Sequence, residues 1–300
     1  MAIVKRKSET ISKIIIHIFF CLLSVTFIVP IWLVVSISFM SEKEIINNGY
    51  AMFPKELSLA AYKYIFSSTG DIINAYKATF ITAIAGTVIF LVVGSMCAYA
   101  ISRSDFKFKM PITFFMYFTM LFGGGMIPTY ILIAKTMNLA DTYAALVFPS
   151  VGNVWSIFII RTFFQQLPGA IIESATIDGA SEWTIFTKII LPLSTPALAT
   201  MGLLEFLGYW NAWMPSMLYL TNNGREKRTL QYLLQTMLRN IDEIKRAQEM
   251  GVDMGSMATE TPSESARMAM AVVAVGPILL VFPFFQKYFV QGLTVGSVKG

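Results

Sequence analysis

Six stretches of this 300-residue chain are long and apolar enough to cross a membrane: residues 14–39, 78–101, 111–134, 142–160, 196–221 and 268–286. A hydrocarbon layer ~30 Å thick takes about 20 such residues as a helix. Only the fifth run contains an acid, Glu205. A backbone in lipid must satisfy its own hydrogen bonds, so each run is expected to be helical. The strand alternation of an outer-membrane barrel is absent. A large soluble core is the alternative for so apolar a chain, and the length of the runs decides against it. Charged residues are 14% of the chain, against about 25% in soluble domains. The expected fold class is an all-α membrane protein of six transmembrane helices. With no low-complexity linker, residues 1–300 are expected to form a single domain.

The first run is about twice the length of a secretory apolar core, and no small-residue cleavage site follows it, so it reads as a retained span. Lys5, Arg6, Lys7 and Lys13 precede it, which puts the N-terminus in the cytoplasm. An even number of spans returns the C-terminus to the same side. Over the whole chain the basic residues divide 11 to 12 between the two sides, so orientation rests on the first span. The net charge of +5 is not gathered into a run that would suggest nucleic acid.

Several chemistries lack their residues. Cys21 and Cys97 both lie inside spans, and neither their number nor their spacing makes a disulfide framework or a metal site. His17, the sole histidine, reads as a helix–helix hydrogen-bond partner, with a proton relay as the alternative. The glycines Gly123, Gly124 and Gly125 precede no Lys-Ser/Thr pair. With Pro128 they read as a kink or close-packing site in the third helix.

By alternation, residues 40–77 are external, with "LAAYKYIF" as a short interfacial helix. Residues 102–110 form a basic cytoplasmic turn, and 135–141 a short external one. Residues 222–267 are external, with helical periodicity in "QYLLQTMLRNIDEIKRAQEM" and seven bases balanced by seven acids. The cytoplasmic segment 161–195 is the unusual one, since "ESATIDGASEWTIFTKIILPLSTPAL" sets polar residues between two apolar runs. Pro168 suits a helix start, and Gly179 a break with positive φ. A second piece turns Trp183, Phe186 and Ile189 to one side; Pro192 ends it and Pro196 opens the fifth span. A helix–Gly–helix elbow is expected, displaying apolar residues either to a partner's groove or to lipid headgroups.

That stretch resembles the EAA loop of ABC-importer permeases. The family pattern is Glu-Ala-Ala, three residues, Gly, nine residues, Ile, one residue, Leu-Pro. This chain has Glu173-Ser174-Ala175, then Gly179, Ile189 and Leu191-Pro192 at those spacings, with Ser174 in place of an Ala. Further segments extend the resemblance over nearly the whole chain: "FPKELSLAAY", "GGGMIPTYILIAKTMNLADTYAALVFP", "GYWNAW" and "PFFQKYFVQGLTVGSVKG". They are similar to the second permease of oligosaccharide importers, in the branch for complex or polysaccharide-derived sugars. The resemblance implies a MetI-like, type I ABC-importer permease of a bacterial cell membrane. Its implied partners are a second homologous permease, two ATPase subunits and an extracytoplasmic sugar-binding protein. ATP and Mg would be bound by the ATPase partners and no cofactor by this chain, which is therefore not an enzyme. The implied ATPase-coupling residues are Glu173, Ser174, Ala175, Ile177, Asp178, Gly179, Ala180 and Trp183. The resemblance also implies that the tail "GLTVGSVKG" enters the ATPase interface and that the external segment 222–267 meets the binding protein.

Glu205 lies about nine residues, or roughly 14 Å, into the fifth span. A carboxylate there is costly and usually faces a polar cavity or a partner. Glu205, Tyr209 and Trp213 recur at a spacing of four and so are expected on one helix face, beside Trp210 and Asn211. Aromatic faces and hydrogen-bonding groups together suit a sugar pathway; the competing reading is helix packing with a structurally paired Glu205. A secondary, ion-coupled transporter is the alternative function, but paired intramembrane charges and a visible inverted repeat are missing. An intramembrane enzyme would need a nucleophile–base set that the spans do not hold.

Overall fold

The computed structural model describes residues 7–67, 69–250 and 263–295. Among these residues the chain is nearly all helical, and its strand-like contact is an isolated bridge between Met40 and Leu57. The first run lies in one helix, α1 (Lys7–Ser38). Ser24 and Thr26 turn their hydroxyls back to the carbonyls of Phe20 and Leu22, at 2.8 and 3.0 Å, so neither carries an unpaired donor into the apolar surface. His17 behaves in the same way: Nδ1 lies 2.6 Å from the Lys13 carbonyl oxygen, on an exposed side. One ring nitrogen of His17 is thereby occupied by the helix's own backbone.

Two short helices follow, α2 (Glu42–Asn48), capped by the Ser41 hydroxyl, and α3 (Ala60–Phe66), the helix expected in "LAAYKYIF". The helix α4 (Thr69–Ser102) contains the whole second run and begins well ahead of it.

The third run is not the single helix expected over 111–134. Helix α5 (Lys109–Leu121) stops before the glycines, and α6 (Met126–Thr136) leaves at 116° to it, ending in a π turn over Ile131–Thr136. Gly125 sits at φ +86, where side chains are strained, and a Cβ on Gly123 or Gly125 would meet nothing within 4 Å. The break at Gly125 therefore rests on the backbone freedom of glycine.

The fourth run bends by 52° between α7 (Tyr143–Val151) and α8 (Val154–Gln165), so the segment 161–195 begins as a continuation of a helix. It goes on through α9 (Gly169–Ile177) and α10 (Glu182–Leu193). Pro192 does not end α10 as expected. A π turn over Phe186–Ile190, in which the Leu191 N–H bonds the Phe186 carbonyl, leads into a fresh helical turn with the proline at its start. There its missing N–H needs no partner. The bend comes one step later, at Ser194, where α11 (Thr195–Asn211) departs at 79° with Pro196 in its first turn.

The fifth run is also interrupted. Ala212 is extended (ψ 103) and α12 (Met214–Tyr219) starts anew, so the span expected over 196–221 is two helices. After a 3-10 turn, α13 (Leu230–Glu249) bears out the helical periodicity read in the segment 222–267, and α14 (Glu264–Val295) contains the sixth run. Residues 251–262 of the segment expected to be external, and residues 296–300 of the tail expected at the ATPase interface, lie outside the described residues. Ser12–Ser38 and Gly70–Ser102 are each long and apolar enough to cross a bilayer; counting the three bent pairs α5–α6, α7–α8 and α10–α11 as spans makes five among the described residues.

Contacts gather the chain into two compact units. In the first, Met1–Thr69 with Met237–Pro277, carboxylates do the work of caps. The Glu42 carboxylate accepts from the Ser263 hydroxyl at 2.7 Å and from the N–H groups of Glu264 and Ser265 at 3.2 and 3.4 Å. Those are free donors at the start of α14, which an anion is well placed to satisfy. Burial opposes the charge on Glu42, but these bonds outweigh it and hold its carboxyl below the usual range. Glu44 does the same for the extended piece, accepting from the N–H of Lys55 at 2.8 Å and of Glu56 at 3.4 Å.

The second unit, Gly70–Thr236 with Ile278–Gly300, holds the main apolar core. Phe90, Tyr99 and Ile101 of α4 meet Ile157, Ile160 and Phe164 of α8, Ile185, Phe186 and Ile190 of α10, and Met201 of α11. At its other end the connection before α7 is pinned through Asp141. Its carboxylate takes the N–H and hydroxyl of Thr221, at 2.6 and 2.7 Å, and these bonds keep the acid below its ordinary range. Helices α4 and α11 approach closely because residue 86 is glycine: a Cβ there would lie 2.4 Å from the Tyr209 ring, which is itself buried. Gly86→Ala should therefore destabilise the fold by about 1–3 kcal/mol through overpacking. A thermal melt of the purified protein reads this, and an unchanged midpoint would show that the ring can step aside.

Candidate functional site

The elbow is built from a helix stop and a helix start. At the end of α9 the Gly179 N–H bonds the Thr176 carbonyl and the Ala180 N–H bonds the Ala175 carbonyl, at 3.0 and 2.9 Å. That pair, with Gly179 at φ +77, is a Schellman closure, which a residue with a Cβ would strain. Two residues on, the Ser181 hydroxyl accepts from the Thr184 N–H and caps α10.

The sequence-expected coupling residues divide between the two sides of this elbow. Ala175 and Ala180 pack on the core cluster. Glu173, Ser174, Asp178 and Gly179 are exposed, Ile177 is 86% exposed and Trp183 62%. Trp183 and Phe186 touch at a ring separation of 5.8 Å. Phe186 is buried where Trp183 is exposed, so the side they share runs from the surface into the core. An exposed isoleucine and tryptophan flanked by two carboxylates, on a base of buried residues, make a rigid projection with an apolar tip.

Three residues that the sequence did not single out fix that projection. The Tyr99 hydroxyl donates to Glu182 Oε2 at 2.5 Å, and Arg103 Nη2 reaches Glu182 Oε1 at 3.1 Å. Arg103 also pairs with Asp105 at 3.1 Å. The first turn of α10 is thereby tied to the end of α4. Tyr99 and Glu182 are 83 positions apart, and nothing local in the sequence signals their pairing.

The second constellation surrounds Glu205, which is 6% exposed on α11. Its Oε1 accepts from Asn153 Nδ2 and from Ser156 Oγ, both at 2.6 Å. Asn153 caps α8 with its other side-chain atom, Oδ1 accepting from the Ser156 N–H at 3.4 Å. One side chain thus starts a helix and holds the buried carboxylate. The Gly152-Asn153 pair inside an apolar run was the available signal, since Asn after Gly is a helix-start pattern. A cavity of about 350 Å³ opens beside Glu205, bordered by Ser150, Gly152, Asn153, Gly208 and Tyr209.

The other expected pathway residues are placed differently. Tyr209 is buried and its hydroxyl donates to the Val147 carbonyl at 3.1 Å. Trp210 is 1% exposed between Phe80 and Phe206, at ring separations of 5.0 and 5.9 Å, so it packs helices together. Asn211 is exposed and accepts from Gln231 Nε2 at 3.4 Å. Trp213 stands beyond the break at Ala212, so it does not share the face of Glu205 and Tyr209 that continuous helical spacing predicted. Among the described residues no group of His, Cys, Asp or Glu is arranged to hold a metal.

Comparison with known proteins places these features. Residues 90–295 match the family model described as binding-protein-dependent transport system inner membrane component. The chain is 38% identical over 288 residues to the polygalacturonan/rhamnogalacturonan transport system permease protein of Bacillus subtilis (strain 168), covering 95% of this chain and 97% of that one. It is 30% identical over 306 residues to the arabinooligosaccharides transport system permease protein of Halalkalibacterium halodurans, covering 99% and 100%. Its fold matches a chain in the crystal structure of a bacterial ABC transporter involved in the import of the acidic polysaccharide alginate. The TM-score is 0.73 at 24% identity, over 96% of this chain and 100% of that one.

The tie between α4 and α10 can be tested without reference to function. Tyr99→Phe removes a hydrogen bond to a charged group, worth about 1.5–3 kcal/mol in comparable settings. Amide exchange over residues 182–190 should then rise roughly tenfold or more, as local opening becomes easier. Exchange at the wild-type rate would show that apolar packing alone holds α10.

Proposed function

The chain belongs to the binding-protein-dependent transport system inner membrane components, and from that premise we propose that it is the second permease of an ATP-driven sugar importer. Membership makes it a multi-pass membrane permease component with a MetI-like fold, and not an enzyme. An ion-coupled carrier is not favoured by that membership. The proposed substrates are complex or polysaccharide-derived oligosaccharides, by analogy with the polygalacturonan, rhamnogalacturonan and arabinooligosaccharides named for its relatives. The chain acts as one permease domain of six spans, the bent helix pairs counting as single crossings and both termini lying in the cytoplasm. It works beside a second, homologous permease and receives sugar from an extracytoplasmic binding protein. Two ATPase subunits bind ATP and Mg, and this chain binds neither.

One observation carries the mechanistic part: an apolar, acid-flanked tip projects from a base locked into the core. In this reading the tip enters a cleft on an ATPase subunit. Ile177 and Trp183 would fill the groove, while Glu173 and Asp178 accept hydrogen bonds at its rim. Closure of the ATPase pair displaces the elbow, and the Tyr99–Glu182–Arg103 tie passes that displacement to α4. Coupling of this kind needs an element stiff enough to be biased from both ends. The exposed α13 side of the segment 222–267 is the proposed region of contact with the binding protein. Glu205 and the cavity beside it lie on the proposed sugar path, whereas Trp210 supports the packing of that path from behind.

Gly179→Pro should abolish uptake and binding-protein-stimulated ATP hydrolysis, because proline fixes φ near −65° where the elbow needs a positive value. Membrane insertion should be unaffected. Normal uptake by this variant would sink the coupling role. Orientation is tested separately: a cysteine at Asn240 should react with an impermeant thiol reagent added outside intact cells, and one at Ser181 should not. The reverse labelling would turn the proposed topology over.

A further inference from the structure

We propose that the cavity beside Glu205 is a subsite for an uncharged, hydroxyl-donating sugar, and that it discriminates against sugars bearing carboxylates. The inference rests on the importer reading above and narrows its substrate class. Four features of the cavity support it.

The first is the helix break. The fourth apolar run is interrupted at Gly152, and irregular backbone at membrane depth is tolerated where it lines a cavity. The second is the division of labour on the carboxylate. Both protein donors, Asn153 Nδ2 and Ser156 Oγ, go to Oε1. A carboxylate can accept about four hydrogen bonds, and among the described residues none is made to Oε2. Glu205 is thus held in place by one oxygen and keeps acceptor capacity on the other.

The third feature is room. A Cβ added to Gly152 or to Gly208 would meet nothing within 4 Å, so a ligand can come close to the backbone at both of these cavity positions. The fourth is charge. The residues bordering the cavity include no lysine, arginine or histidine to neutralise an anion. A hydroxyl donor finds a fixed, desolvated acceptor here. A sugar carboxylate would instead set a second carboxyl group against Glu205 with no cation on the cavity wall to offset the repulsion.

The proposal separates this chain from what its relatives' names would suggest. Polygalacturonan is built from uronic acids, and the alginate importer that shares the fold handles an acidic polysaccharide. The arabinooligosaccharides named for another relative are neutral. The cavity in this chain fits the neutral class.

The test uses the permease assembled with its second permease and ATPases in nanodiscs, without the binding protein, so that the membrane path alone selects. Saturation-transfer NMR compares a neutral arabinotetraose with a galacturonate trisaccharide at millimolar concentration. Wild type should bind the neutral probe at least tenfold better. Glu205→Gln keeps the side-chain shape and turns an amide donor toward the cavity, so the ratio should fall close to one. Glu205→Asp keeps the charge with a shorter reach; it should weaken the neutral probe several-fold yet still reject the acidic one. Equal binding of the two probes to wild type, a ratio unchanged in Glu205→Gln, or no binding of either probe would overturn the subsite. Failure of the importer reading shows elsewhere, as the absence of ATP-dependent uptake of either sugar class by the complete transporter with its binding protein.

Discussion

A backbone without water around it has to satisfy its own polar groups, and the rest of this structure depends on how it does so. Along α1 and α4 the helical ladder supplies most partners, and several hydroxyls fold back onto it, as Thr79 and Thr82 do onto Ala75 and Ala78. At several interruptions a side chain stands in. Thr142 caps α7, Asn153 caps α8, Ser181 caps α10 and Glu42 reaches across the sequence to cap α14. The breaks at Gly125, Ser194 and Ala212 have no such cap and rest on backbone conformation alone.

Two of those interruptions do more than turn the chain. The break at Gly179 lifts Ile177 and Trp183 off a core that holds Ile185, Phe186 and Ile190. Exposure of the tip and rigidity of the base come from the same short stretch, which is what a mechanical contact requires. The break at Gly152 opens a cavity and supplies Asn153, whose amide steadies Glu205. A buried carboxylate with one oxygen tied and one free is a poor way to stabilise a membrane helix. Its cost is easier to understand if a ligand completes its hydrogen bonds.

Pairing across long separations converts these local devices into one unit. Tyr99 and Arg103 hold Glu182, so the elbow cannot shift without pulling on the end of α4. Gly86 lets Tyr209 lie flush against α4, and the Tyr209 hydroxyl satisfies a carbonyl of α7. Movement at the elbow and rearrangement near Glu205 therefore share α4 as a common wall. The proposed transport cycle needs such a route between its energy source and its cargo.

The sequence by itself determined the apolar runs, the all-helical class, the elbow and its glycine. Each is a local property: run length, composition, and a residue that alone tolerates positive φ at Gly179. It also brought out Glu205, because an acid in an apolar run is conspicuous without any coordinates. Tertiary structure decided what each of these residues meets. Trp213 left the predicted face because the helix ends at Asn211, and Trp210 became packing because Phe80 and Phe206 enclose it. Asn153, Ser156, Tyr99 and Arg103 hold Glu205 and Glu182 across separations of 49 to 83 positions. Periodicity extrapolates along a continuous helix and says nothing about where that helix breaks or which distant side chain closes a hydrogen bond, and both are settled by packing.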